Sequence, residues 1–115
     1  MNKIYIGTRP ADDERGDVNV SVVSASGTKP LSHIVYHSPT GFEWAYAGSG
    51  PADLALSILA DHFGEQPSEE ELRCGKPHCW QLHQAFKWDF IATANPHTFS
   101  ITTVQINRWL KTQVY

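Results

Sequence analysis

A chain of 115 residues, 41% hydrophobic and 18% charged, has the balance of one ordinary globular domain rather than of a disordered or fibrous protein, and it can bury roughly two-thirds of the surface that its unfolded form exposes. Its net charge is −3, and its nine lysines and arginines are scattered, which argues against a nucleic-acid partner and gives too small a field for a mimic of the phosphate backbone. No apolar run reaches the roughly 18 residues of a spanning helix, so no membrane partner is expected. Met1 to Gly7 lacks the apolar stretch and cleavage site of a signal peptide, and a cytoplasmic location is expected, with Cys74 and Cys79 reduced.

In chain order, Lys3 to Gly7 alternates as a short strand, followed by a polar loop from Thr8 to Gly16 that carries Asp12, Asp13 and Glu14. A second strand covers Asp17 to Val23, with Val18, Val20 and Val22 on one face. Ser24 to Pro30 reads as a turn, Leu31 to Tyr36 as a third strand, and Phe42 to Ala47 as an aromatic strand entered by a hairpin turn at Ser38-Pro39-Thr40-Gly41. A helix then starts at Pro51, capped by Ser49 or Gly50, with Asp53 near the positive end of its dipole and Gly64 as its stop. Ser68 and Glu71 have capping-box spacing for a single turn. A second helix spans Cys79 to Thr93, burying Leu82, Phe86 and Phe90 while Lys87 and Asp89 point outward. His97 to Ile101 is a last short strand, and Thr102 with Gln105 caps a helix carrying Ile106, Trp109 and Leu110. The expected fold is a single compact α+β domain over residues 1–115: a three- to four-stranded antiparallel sheet packed on one face by two central helices and a C-terminal helix.

Four groups of residues have the types that carry chemistry. Cys74, His78, Cys79 and His83 are zinc-ligand types, with His62 as a further candidate, and Cys79 and His83 lie one helical turn apart; the same Cys79 also opens the apolar stripe of Leu82 and Phe86. Cys79 at a helix start, with His83 or His78 as base, has the elements of an activated thiol, although no Asp or Asn is placed to orient the imidazole. Gly48, Ser49 and Gly50 lead from a strand to a helix, so their amides can cradle an anion, though the lysine of a phosphate-binding loop and the later glycine of a dinucleotide fingerprint are missing; flexible glycines that allow a sharp turn with a capped first turn are the expected explanation. His33 and His37 share a strand face about 13 Å apart, too far for one metal, and are expected at the surface.

Four tryptophans and four tyrosines exceed what so small a core requires. Trp44 and Trp109 are expected in the core, whereas Trp80 and Trp88 lie off the helix stripe and are the expected binding anchors.

Gly41-Phe42-Glu43-Trp44, the run Tyr46-Ala47-Gly48-Ser49-Gly50-Pro51-Ala52-Asp53-Leu54-Ala55, Ile58-Leu59, Gln84-Ala85-Phe86-Lys87 and the closing Ile106, Arg108, Trp109 and Leu110 resemble a small uncharacterised domain family of bacteria, phages and integrative elements. The Glu65 to His78 connector departs from that pattern. The resemblance carries no established activity or site residues. It implies a non-enzymatic accessory protein of a phage or mobile element that meets a host protein, such as a component of a defence system like CRISPR interference. The alternatives are a zinc-stabilised module on Cys74, His78, Cys79 and His83, or an enzyme using the Gly48 to Pro51 turn as an anion site.

Overall fold

The computed structural model describes residues 2–9 and 18–113. The acidic cluster Asp12, Asp13, Glu14 and Asp17 lies outside them. Among the described residues the fold is α+β, with a four-stranded antiparallel sheet and four α-helices. The chain divides into two compact units, Met1–Leu31 with Asn95–Tyr115, and Ser32–Ala94.

The first unit holds the sheet, in the order β3-β2-β1-β4, from β1 (Ile4–Thr8), β2 (Asn19–Ser24), β3 (Gly27–Pro30) and β4 (Thr98–Thr102). In this register Tyr5 lies between Val22 and Ile101, and Gly7 between Val20 and Phe99, so alternation gathers the large apolar side chains on one buried face. Gly7 is required there because a Cβ at this position would enter the Phe99 ring. The segment Ser24 to Pro30, read above as a turn, is instead a hairpin: only Ala25 and Ser26 turn, and Gly27 to Pro30 pair with β2. Helix α4 (Thr103–Leu110) opens with the expected capping box, in which Gln105 N donates to Thr102 Oγ1 (3.1 Å) and Thr102 N donates to Gln105 Oε1 (2.8 Å). Its buried side chains are Thr103, Ile106 and Trp109.

The second unit is built on helix α1 (Ser49–Phe63), where every residue from Gly50 to Ala60 is buried. A helix apolar on nearly all sides belongs in an interior. Its N-terminal cap is Gly48 rather than Ser49 or Gly50, so Pro51 sits in the first turn but not at its first position, and its C-terminal cap is Gly64 in the left-handed conformation, whose N–H returns to Asp61 O (3.2 Å). Helix α2 (Glu69–Cys74) carries the expected Ser68 and Glu71 capping box. Helix α3 (His78–Phe86) runs into a π-helical turn, Lys87–Ile91, closed by Ala92 N donating to Lys87 O (2.8 Å).

That extra residue corrects the expected single helix from Cys79 to Thr93. It rotates the buried stripe, so that Lys87 and Ile91 are buried while Phe90 is only half-buried. Lys87 does not point outward as expected; its Nζ lies 4.9 Å from the centre of the Trp88 ring.

Two expected strands do not form. Phe42 to Ala47 is irregular: Ala45 has φ 74°, a left-handed conformation that costs an alanine about 1–2 kcal/mol and cannot continue a strand, and its N–H donates to Ile91 O (2.9 Å). Leu31 to Tyr36 keeps one ladder bond, Leu31 N to Val20 O, and its following N–H groups turn to side chains of α1.

Candidate functional site

Helix α1 presents two polar side chains, Asp53 and Ser57, four residues apart and so on one face, and both are buried. A buried polar group must be paired, and here its partners are the main chain of residues 34–38. Ser57 Oγ accepts from Ile34 N (2.9 Å). Asp53 Oδ1 accepts from His37 N (2.7 Å), and Oδ2 accepts from Tyr36 N (3.2 Å), Ser38 N (2.9 Å) and His33 Nε2 (2.9 Å). The helix therefore supplies acceptors that a neighbouring strand would otherwise provide. Asp53 serves this loop and is not a partner of its own helix's first-turn amides.

The loop held in this way carries Tyr36 and His37 against α3. The His37 ring stacks on Trp80 (centroids 5.9 Å, 13°) and on His83 (5.3 Å, 24°), while Tyr36 meets Trp80 edge-on at 4.9 Å. His83 is 2% exposed. Its Nδ1 bonds Trp80 O at 2.6 Å; because a carbonyl only accepts, Nδ1 carries the proton and Nε2 presents a lone pair. That lone pair faces His37 Nε2 at 3.1 Å and Gln84 Nε2 at 3.2 Å. Burial holds the His83 imidazole below its ordinary range; the Trp80 carbonyl acts in the opposite direction, and the nearby His37 and Lys87 deepen the depression. His33 and His37 are thus partners in a network and not free surface groups. The sequence missed the network, yet it held one signal: two polar residues, Asp53 and Ser57, inside a helix with no solvent face.

The four zinc-ligand candidates are not brought together. Among the described residues no group of three or more His, Cys, Asp or Glu side chains can hold a metal ion. Cys74 is exposed at the end of α2, Cys79 is buried, His78 is exposed and His83 belongs to the network above. His62 packs its ring on Phe63. Glu65 sits at the start of α3, accepting from His78 N (3.0 Å) and Cys79 N (2.8 Å). Partial burial acts to raise the Glu65 pKa, but these amides outweigh it and hold the carboxyl below its usual value. For Cys79 the result is the reverse of activation: burial, then the Glu65 carboxylate beside it, pushes the thiol up to about 12, so the thiol stays protonated near neutral pH.

Beside the Gly48 to Gly50 turn, a Cβ on Gly48 would lie 2.7 Å from the ring of the exposed Tyr46, and one on Gly50 would lie 2.8 Å from Glu43 Cβ and 3.2 Å from its backbone N, so close packing accounts for Gly50; Ser49 is exposed. Trp80 is half-buried in the aromatic and imidazole cluster, whereas Trp88 is 58% exposed. Trp44 and Trp109 are buried, as expected. Two open concavities, of about 210 and 360 Å³, are lined by residues such as Lys3, Ser24 and Lys29, and Glu65, Glu71 and Lys76; neither is lined by these histidines or by the turn.

No helix among the described residues is long and apolar enough to cross a membrane. Comparison with curated proteins and with solved structures gives no match. The model of a family of unknown function, DUF6166, matches residues 5–112, and the chain belongs to that family.

Proposed function

We propose that this protein is a non-enzymatic binding module that acts through protein–protein contacts, with the surface of the 33–38 loop and Trp80 as its centre. The observation that supports this reading is the loop's fixed backbone: Val35 is 60% exposed and Tyr36 is exposed beside it, while four N–H groups of residues 34–38 are tied to Asp53 and Ser57. An apolar display that is already ordered loses little entropy on binding, and half-buried Tyr and Trp are the usual anchors of interfaces. Trp88, with Lys87 against its ring, offers a second anchor. The resemblance to domains of phages and integrative elements makes a bacterial host protein, such as a defence component, the class of partner to seek.

The test compares crosslinked capture from a bacterial lysate by the wild type with capture by Val35→Glu, Tyr36→Ala and Trp88→Ala, each first shown to be folded. A specific partner retained by the wild type and lost from Val35→Glu is expected. Equal retention by all four proteins, or no partner at all, would overturn the reading.

A further inference from the structure

In the protein alone, the 3.1 Å approach of His37 Nε2 to His83 Nε2 is an N–H···N hydrogen bond in which His83 accepts. The same separation fits another occupant. Two imidazole nitrogens bound at about 2.0–2.1 Å to one tetrahedral ion lie roughly 3.3 Å apart, so an ion can replace the shared proton with a few tenths of an ångström of movement.

Three features prepare the pair for that exchange. The bond from His83 Nδ1 to Trp80 O fixes the tautomer and aims the Nε2 lone pair, which is how metal-ligating histidines are ordinarily oriented by their outer contacts. His37 is held in place by its backbone bond to Asp53 Oδ1 (2.7 Å) and by its stacking on Trp80. Gln84 is exposed and its amide lies 3.2 Å from His83 Nε2; turned over, that amide offers its oxygen, and its exposed side gives an entry path and water. Neutral His37 needs only to move its proton from Nε2 to Nδ1 through water, so binding requires no net proton loss.

We infer that His37 and His83 form a two-imidazole site for a divalent transition metal, zinc being the ion that best suits such nitrogens, with the Gln84 amide oxygen and water completing the coordination. The nearby Lys87 works against a cation here and Asp53 works in its favour. With two imidazoles in place of three or four strong ligands, binding is weaker than at a structural zinc site. The site is separate from the Cys74 and His78 region, and it does not depend on the protein-binding role.

The experiment is titration of chelator-treated, untagged protein with zinc chloride near neutral pH, followed by calorimetry and by thermal unfolding. The wild type is compared with His37→Gln, His83→Gln and the double control Cys74→Ser with His78→Gln. One equivalent of zinc, a Tm that rises with zinc concentration, a loss of at least about tenfold in affinity in each single variant and an unchanged control are expected. Gln at position 37 can still donate to His83, so this variant keeps the test meaningful if His83→Gln fails to fold. Absence of both heat and Tm shift in the wild type overturns the site. So does binding that is lost in the control and kept in His37→Gln.

Discussion

The strands of the sheet and the segment from Leu31 to Tyr36 show the same alternation in sequence, yet one group pairs and the other does not. In β1, Tyr5 and Gly7 find Val22 and Val20 on one side and Ile101 and Phe99 on the other. Residues 34, 36, 37 and 38 instead give their N–H groups to Ser57 and Asp53 of a buried helix. Alternation therefore predicts an extended chain; what accepts its hydrogen bonds decides whether that chain becomes a strand.

The strongest way to break this comparison is Asp53→Ala, which leaves three backbone N–H groups and His33 without their acceptor in a buried setting. A loss of about 3–5 kcal/mol is expected in urea denaturation, and a stability within error of the wild type would show that the loop does not depend on the helix. The corresponding test of the sheet is Gly7→Ala, which forces a methyl group into the Phe99 ring and should cost about 1–3 kcal/mol. Thr102→Ala removes the cap of α4 and should cost about 1 kcal/mol in the same assay, without altering the His37 and His83 contacts.

The smallest effect expected is one of pH, and it separates the two regions. Folded His83 binds a proton less readily than its ordinary value of 6.5 implies, so the unfolded chain takes up more protons as the solution is acidified. The stability from neutral His83 is present above pH 6.5 and is lost as pH falls below it towards the lower folded value. The groups facing the ring are His37 from the loop, Lys87 from the π-helical turn and Asp53 from α1. Denaturation midpoints compared above and below pH 6.5 should fall less in His83→Gln than in the wild type; equal falls in both would remove His83 as the cause.

A cysteine comparison sharpens the account of the connector. With its thiol pushed up to about 12, Cys79 should react with a disulfide reagent far more slowly than exposed Cys74, and comparable rates in the native protein would show that Glu65 and burial do not protect it.

Local signals fixed by the chain itself were legible. The two capping boxes, at Ser68 with Glu71 and at Thr102 with Gln105, require residues three apart and nothing else, and both formed. The strands found at Ile4–Thr8 and Asn19–Ser24, the glycine stop at Gly64 and the burial of Trp109 were likewise readable from neighbours in sequence, as was the α+β class. The candidate site was not, because its parts are far apart along the chain. His37 and His83 are 46 residues apart, and Asp53 meets the loop across 15 to 20 residues, so no spacing rule connects them. Only the tertiary structure decided that Asp53 would turn to the loop, that Glu65 would sit beside Cys79 and that Trp80 would stack on His37. Each of these follows from the need of a buried polar or aromatic group for a partner, and burial is set by the packing of distant segments rather than by local sequence.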